Sequence, residues 1–445
     1  MNIFAKSIVI IGCICAVPLY GRQEKWSLRE CIEYAEKNNL QIKQQQIAVR
    51  QAQNNVLQAK LDFIPSFNAS VNHNLNWGKS VNINDLQITN QLTQSTSANI
   101  SASFPIVDGL SKHNTLKSSK TQLHIYEQEV ERLKDEISIS ITQAYLQVLL
   151  ALEIEKTAMQ SCKSTEEQVE YTRKLVNAGS QAYSSLLDIE ARLATERVQL
   201  VTAGNDVKTN YLTLAQLLDL PQESGFEIEI PDTAALAINS AIDFGTGSDN
   251  INETYRFAMD LPQIKSAELS LEKSRYDYKI QKGASYPSIS FSAGYGTYYS
   301  DSREEAFFTQ FDDNRNPSIG FGINIPIFNG WRTNTSIRNA RLNVKNAQFE
   351  LEKARQQLYK EIQQAYNNAQ NAYEKYQAAR QNMKAGEESY KYVEQKFNVG
   401  MLNGTDYTVA KTNLFKAQSE YYQAKYQYVF YLKILDFYRG LPIEL

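Results

Sequence analysis

Four short segments of the chain alternate between apolar and polar residues. Residues 66–77 alternate without a break, and the apolar or nearly apolar positions are Phe67, Ala69, Val71, His73, Leu75 and Trp77. The same period of two recurs at 97–104, 288–295 and 318–325. This period predicts β-strands with one apolar and one polar face. The segments between paired strands, 78–94 and 300–316, are polar and are expected to be long loops.

Two long stretches have helical character. Residues 108–178 contain no proline and, after Gly109, no glycine, and residues 330–399 are interrupted after Gly330 only by Gly386. Apolar or small residues recur in the second stretch every 3.6 positions on average, the period of a straight α-helix rather than of a supercoiled repeat. At 1.5 Å per residue, a helix of roughly 70 residues would be about 105 Å long.

The second half of the chain repeats the pattern of the first. The segment SFPIVDG at 103–109 returns as NIPIFNG at 324–330, a shift of 221 residues. The same shift relates Tyr145 to Tyr366 and Gly179 to Gly400, while QIK at 41–43 returns at 263–265 with a shift of 222. Each half is therefore predicted to contain a helix, two strands, a helix, a turn and a helix.

These patterns divide the chain into four expected segments. Residues 1–21 have Lys6 before an apolar stretch and are predicted to be a secretory signal peptide, although a buried N-terminal helix is an alternative. The IIGC sequence that ends at Cys13 resembles a lipoprotein box, which leaves acylation of Cys13 open. The other expected segments are a first repeat at 22–221, a linker with little regular structure at 222–250 and a second repeat at 251–445.

Composition and motifs exclude several functions. The net charge of −3 offers no basic field for a nucleic acid. Cys31 and Cys162 are far apart, the three histidines lack metal-ligand spacing, and the GKS that ends at Ser80 lacks the first glycine of a P-loop. Beyond the leader no run of 18 apolar residues exists, so no transmembrane helix is expected. We predict no enzyme, no cofactor and no metal site.

The strands raise the question of what covers their apolar face. Helices of about 100 Å cannot fold back over a sheet that they leave, and four strands cannot close into a barrel. A proline stands at each predicted helix–strand joint: Pro65, Pro105, Pro287 and Pro326. Lipid is the simplest cover, with several copies pooling their strands. Two copies would give eight strands and three would give twelve, and the Ser- and Asn-rich inner face favours three.

Several segments, taken together and in order, resemble the TolC-type outer-membrane efflux proteins, also called outer membrane factors. These segments are WSLRECIEYAEKNNLQIK at 26–43, IPSFNAS, FPIVDG, IPIFNG and QKFNVGMLNGTDY at 395–407. The resemblance implies a mostly α chain with β-strands, assembled as a homotrimer with a twelve-stranded barrel in outer-membrane lipid. It also implies a periplasmic helical tunnel whose lower end meets a periplasmic adaptor and an inner-membrane efflux or secretion transporter.

The resemblance assigns roles to individual residues. Gly179 and Gly400 would be the periplasmic tips of two helical hairpins, and their neighbours Ala178, Ser180, Val399 and Met401 would face the adaptor. Asp188, Thr405 and Asp406 would belong to the gate, where an acidic ring favours cations; alternatively, Asp406 would be the N-cap of the returning helix. The sequence departs from known clamp residues at Val176, Gln181, Phe397 and Leu402.

Two functions from different classes compete at this stage. The first is an outer-membrane exit duct of a tripartite exporter, with its helical part in the periplasm. The second is a soluble periplasmic coiled-coil adaptor or scaffold, which explains the long helices but not the four lipid-length strands.

Overall fold

The computed structural model describes residues 25–81, 88–220, 226–231 and 248–445. The predicted signal peptide, Cys13 and most of the predicted linker lie outside these residues. The described part of the first half contains α1 (Leu28–Asn38), α2 (Leu40–Leu61), β1 (Ser66–Val81), β2 (Ile88–Val107), α3 (Ser111–Asn177) and α4 (Tyr183–Leu217). That of the second half contains α5 (Ser248–Ala258), α6 (Pro262–Gly283), β3 (Ser288–Ser300), α7 (Phe307–Asp313), β4 (Asn316–Asn324), α8 (Arg332–Asn398) and α9 (Gly404–Tyr438).

The described strands form one antiparallel sheet in the order β1-β2-β3-β4. The register places apolar residues opposite each other: Ile100 pairs with Ala69 and Tyr295, and Phe291 pairs with Phe321. Because the side-chain period of a strand is two, this register gathers the apolar residues of all four strands on one face. The predicted fold class, mostly α with a small antiparallel sheet, is confirmed.

Both predicted loops are shorter than expected. β1 continues to Val81 and β2 begins at Ile88, so most of the 78–94 segment is paired strand. The hairpin extends because a ladder, once in register, continues to satisfy backbone groups, and Trp77 opposite Leu92 continues the apolar face. The 300–316 segment contains α7, which the sequence analysis did not predict.

The predicted prolines occupy different places at the joints. Pro65 and Pro287 directly precede β1 and β3, whereas Pro105 lies inside β2, beside a register irregularity, and Pro326 follows the end of β4. The turn from strand to long helix is made instead by two consecutive residues with positive φ. These pairs are Gly109 and Leu110, with φ of 64° and 63°, and Gly330 and Trp331, with φ of 65° and 66°.

The two long hairpins have matching dimensions. α3 and α8 contain 67 residues each, α4 and α9 contain 35 each, and the bounds of each pair differ by 221. At 1.5 Å per residue, the longer helices extend about 100 Å. Buried tyrosines at equivalent positions hold the short helices: Tyr145 donates to Glu229 O at 2.6 Å, and Tyr366 pairs with Thr254 Oγ1 at 2.9 Å.

The largest core surrounds the middle of α3. Ile141, Tyr145 and Leu149 of α3 are essentially inaccessible and belong to a cluster that includes Leu28 and Cys31 of α1. By length and composition α3 is the single described helix that could cross a membrane, but half of its most apolar window is buried inside the chain. This burial is typical of a core helix.

Candidate functional site

Both hairpin tips are closed by the same backbone motif. Gly179 has a φ of 71° and Gly400 a φ of 76°. At the first tip, Ser180 N donates to Leu175 O and Gly179 N to Val176 O, both at 2.9 Å. This is a Schellman ending, whose left-handed position favours glycine because a Cβ there is strained. At the second tip, Met401 N donates to Lys396 O at 2.9 Å in the same motif.

The residues beside the tip glycines are exposed. Ala178 and Ser180 are small, whereas Val399 and Met401 place apolar side chains in solvent, with 68% and 75% of their surface accessible. The second tip is therefore the more apolar of the two. The exposure suits the predicted contact with an adaptor, which remains a prediction.

The structure brings two of the three predicted gate residues together. Thr405 Oγ1 donates to Asp188 Oδ2 at 3.3 Å, which links α9 to α4 across the two hairpins. The N-cap of α9 is Asn403, whose side chain accepts from Asp406 N at 2.8 Å. The alternative that made Asp406 the N-cap is therefore wrong. The Asp406 carboxylate is exposed in the first turn of α9, a position that a helix dipole favours for an acid.

Further contacts join the hairpins near the tips. Gln168 Nε2 donates to Asn398 Oδ1 at 3.2 Å, and Gln181 Nε2 donates to Phe397 O at 3.4 Å. The side chain of Phe397 is fully buried against Tyr407, with ring centroids 4.8 Å apart. These two departures from the family pattern, Gln181 and Phe397, thus take part in hairpin contacts of another kind. Val176 and Leu402 pack against the edge of the same apolar cluster.

A buried ionic cluster lies beyond these contacts, between α3, α4 and α9. Arg192 Nε contacts Glu196 Oε1 at 2.7 Å, and both side chains are at least 95% buried. Thr165 Oγ1 donates to the other Glu196 oxygen at 2.6 Å. From α9, Lys411 Nζ donates to Thr165 and approaches Glu196 Oε2 at 3.8 Å, while Thr412 accepts from Arg192 Nη1 at 2.6 Å. We call these five residues the ionic cluster.

The ionic cluster carries two cationic side chains and one carboxylate. Burial lowers the pKa of the Lys411 ammonium, and the Glu196 carboxylate opposes that shift. Arg192 Nη2 is buried without a hydrogen-bond partner among the described residues. A buried charge that is incompletely paired is costly, so this contact gains free energy when water reaches it. Beside the cluster, burial raises the pKa of the Tyr407 hydroxyl to about 12.

Sequence analysis missed the ionic cluster. Arg192 and Glu196 stand four residues apart on one helix, a spacing that is usual for exposed surface pairs. Their burial arises because α3 and α9, remote in the sequence, cover that side of α4. The one available signal was the lysine at 411 among the apolar and small positions of α9.

The described residues contain no group of three His, Cys, Asp or Glu side chains that could hold a metal ion. Cys31 and Cys162 are both free and buried. Burial raises the pKa of the Cys31 thiol to about 12, which keeps it in the unreactive thiol form.

The comparisons with known proteins agree with this architecture. The sequence model of the outer membrane efflux protein family matches residues 31–219 and 260–436, well over half of the chain. The outer membrane efflux protein BepC of Brucella suis is 24% identical over 311 residues, 69% of this chain and 62% of that protein. The chain thus aligns with less than two thirds of that relative's length.

Solved structures share the fold at lower sequence identity. The crystal structure of CusC has a TM-score of 0.78 and 17% identity, and the match covers 94% of this chain and 92% of that one. The crystal structure of the Campylobacter jejuni CmeC outer membrane channel has a TM-score of 0.75 and 17% identity, with coverage of 100% and 94%.

Proposed function

Because this chain belongs to the outer membrane efflux protein family, we propose that three copies form the outer-membrane exit duct of a tripartite exporter. The sheets of three chains would supply a twelve-stranded barrel in the outer membrane. The long hairpins would form a tunnel through the periplasm. Their tips would meet a periplasmic adaptor, and an inner-membrane pump or secretion transporter would supply the energy.

The observation that carries the proposal is the exposed apolar face of the sheet. Val71, Trp77, Ile319 and Phe321 each have between 70% and 76% of their surface accessible. At about 25 cal/mol per Å², so much exposed apolar surface would be costly in water. The described helices that leave the sheet extend away from it, so lipid is the cover that fits. A soluble adaptor has no need of such a face.

The proposal assigns gating to the contacts between the hairpins. The Asp188–Thr405 hydrogen bond and the ionic cluster both join α4 to α9 within one chain. Opening of the tunnel would separate these hairpins, break the contacts and hydrate the buried charges. The exposed carboxylates of Asp406 in three chains would form an acidic ring that favours cations. The proposal includes no catalytic activity for this chain.

A matched pair of variants on β4 tests the membrane assignment. Ile319→Lys places a charge on the apolar face, and Ser318→Lys places the same charge on the opposite face. A lysine that faces lipid near the centre of the strand costs about 2–4 kcal/mol. We therefore expect I319K to lower the temperature at which the heat-modifiable form dissociates on gels, and S318K to change it much less.

Fractionation separates the two competing functions. An outer-membrane duct remains with outer membranes after a carbonate wash, whereas an adaptor or scaffold is released. A detergent-independent monomer in buffer, equally tolerant of both lysine variants, would refute the duct.

Planar-bilayer recordings test the gate. Asp188→Ala removes the acceptor of Thr405 and is expected to raise single-channel conductance, with Thr405→Ala giving a similar rise. Asp406→Ala is expected to weaken cation preference with a smaller change in conductance. Glu190→Ala, on the same helix as Asp188 and partly exposed, is the control. Unchanged conductance and unchanged ion preference in all of these variants would remove Asp188, Thr405 and Asp406 from the gate.

A further inference from the structure

The two halves of the chain are packed unequally around their short second helices. α6 lies between α3 and α8, whereas α2 packs on α3 and otherwise makes only a few contacts with α1. α2 and α6 both contain 22 residues, and their bounds differ by 222. By the repeat, α2 on α3 is equivalent to α6 on α8. The contact of α6 with α3 therefore has no counterpart within the described chain.

The surfaces of this missing contact are both exposed. On α3, the side that faces α6 includes the buried residues Asn114, Ser118 and Thr121. Their counterparts on α8, 221 residues later, are the exposed residues Thr335, Asn339 and Leu342. Farther along the same side, Phe349 has 70% of its surface accessible. We call residues 335, 339, 342, 346 and 349 the α8 stripe.

α2 offers the complementary surface. Positions 269, 273, 277, 280 and 283 of α6 are half-buried or buried, and their counterparts at 47, 51, 55, 58 and 61 of α2 are all exposed. Among these, Ile47 and Leu61 have 54% and 47% of their surface accessible. We call residues 47, 51, 55, 58 and 61 the α2 stripe. Both stripes thus combine amide side chains with large apolar ones.

We propose, building on the trimer of the proposed function, that each chain joins the next through a copy of its own internal joint, with the α8 stripe on the α2 stripe of the next chain. The internal joint fixes the register, since Ser118 Oγ donates to Asp277 Oδ1 at 2.7 Å. The repeat shifts carry this pair to Asn339 of one chain and Asn55 of the next. The amide side chains can donate to and accept from each other, and Phe349 meets Ile47 nearby.

The strand edges agree with this register. Carrying the β2–β3 pairing of Ile100 and Tyr295 to the free edges places Phe321 of β4 opposite His73 of β1 in the next chain. Both residues lie on the apolar face of their strands. A slip of one residue would place the apolar face of one chain beside the polar face of the next, which is strongly disfavoured.

The internal and external joints differ in one detail. A Cβ at Gly283 would lie 2.8 Å from Gly109 O, so the internal joint is closest at these two glycines. At the external joint the counterparts are Gly330 and Leu61, and leucine has a Cβ. The external joint must therefore be wider by a few tenths of an ångström at this point.

Cysteine cross-linking tests the register. Asn339→Cys with Asn55→Cys is expected to link most chains into covalent dimers and trimers under mild oxidation, because a disulfide needs Cα atoms within about 7 Å. Ser118→Cys with Asp277→Cys is the matched control, which links within one chain and leaves a monomer band. The native Cys31 and Cys162 are buried and do not interfere.

An off-register pair sharpens the test. Asn339→Cys with Gln44→Cys displaces the second thiol by eleven residues, about 16 Å along α2, and is expected to remain unlinked. A trimer by size in which the 339–55 pair stays unlinked while the internal control forms would overturn the register. Absence of any trimer would instead overturn the proposed function.

A second measurement covers the case in which neither cysteine pair forms a disulfide. Phe349→Asp puts a charge into the α8 stripe, and Gln348→Asp puts it on an exposed neighbour outside the stripe. We expect F349D to lower the dissociation temperature of the trimer well below that of Q348D. Equal temperatures would overturn the joint.

Discussion

The two hairpins differ most where they are otherwise equivalent. In the first hairpin, Thr165 donates to Glu196 at 2.6 Å inside the ionic cluster. The same positions in the second hairpin, 221 residues later, are Gly386 and Ala417, where a Cβ added to the glycine would lie 3.8 Å from the alanine Cβ. One site is filled by buried charge and the other by close contact between small residues.

This difference indicates that the hairpins have different tasks. Small residues allow close, inexpensive packing of helices that need not separate. Buried ionic groups are less favourable than apolar packing but recover hydration when they are exposed. The charged site of the first hairpin also receives Lys411 from the second, so it joins the two hairpins. The proposed gate therefore lies where separation costs least.

Removal of the single carboxylate is expected to have the largest effect on this comparison. Glu196→Ala leaves Arg192 and Lys411 buried without their anion, which costs about 3–5 kcal/mol of stability. Thermal unfolding in detergent, followed by circular dichroism, checks the loss. Glu190→Ala, which breaks a pair with Arg173 that is about half exposed, is the control and should cost about 0–1 kcal/mol. Equal losses would show that Glu196 is not the anchor of the cluster.

Conversion of the ionic cluster to the chemistry of the second hairpin should reverse the sign. Arg192→Leu, Glu196→Leu and Lys411→Met together replace the buried charges by apolar groups, which is neutral or stabilising by about 1–4 kcal/mol. We expect the melting temperature to be maintained or raised and the open probability in bilayers to fall. A triple variant that melts lower than Glu196→Ala would contradict the account of the cluster.

The tips should respond equally, in contrast to the ionic cluster. Gly179→Ala and Gly400→Ala each place a Cβ at positive φ, which costs about 1–2 kcal/mol. Gly386→Ala, inside α8, has room for its Cβ and should gain about 0.5–1 kcal/mol. Melting temperatures of the three variants check these signs. A loss at Gly386 would show that the close packing of the second hairpin requires the glycine.

The pH dependence of the ionic cluster should give the smallest effect. Burial lowers the pKa of Lys411 below its ordinary 10.5, so between the lowered value and 10.5 the separated hairpins bind more protons than the packed ones. Rising pH in this window therefore favours the packed, closed state, by at most about 1.4 kcal/mol per pH unit. The charged groups that face Lys411 are Glu196, Arg192 and Glu394.

Bilayer recordings across that window check the prediction. Open probability should fall as the pH rises, and Lys411→Met should remove this trend. Lys416→Met, on an exposed position of the same helix, should retain it. A trend that persists without Lys411 would assign the titration to another group.

The sequence predicts those features that depend on a local period. One-sided burial forces the alternation at 66–77, and the absence of helix breakers forces long helices, so strands and hairpins are both foreseeable. The N-cap of α9 was less certain because Asn403 and Asp406 are both good capping residues three positions apart. The structure selects Asn403, with Asp406 in the third helical position.

Features that depend on contacts between remote segments were not foreseeable. The extent of β1 and β2 follows from their pairing, since polar residues such as Asn90 have no strand preference of their own. The burial of Glu196 requires α3 and α9 to cover α4, and no local pattern around residue 196 records that coverage.

The left-handed doublets at the foot of the sheet have a consequence for the membrane. Leu110 and Trp331 hold positive φ, a strained conformation for residues with a side chain, and present accessible surfaces of 69% and 53%. Three chains would thus carry six oily side chains at one height, three of them indoles suited to the headgroup layer. Such a collar would act as a depth gauge that stops the duct from sliding along the bilayer normal.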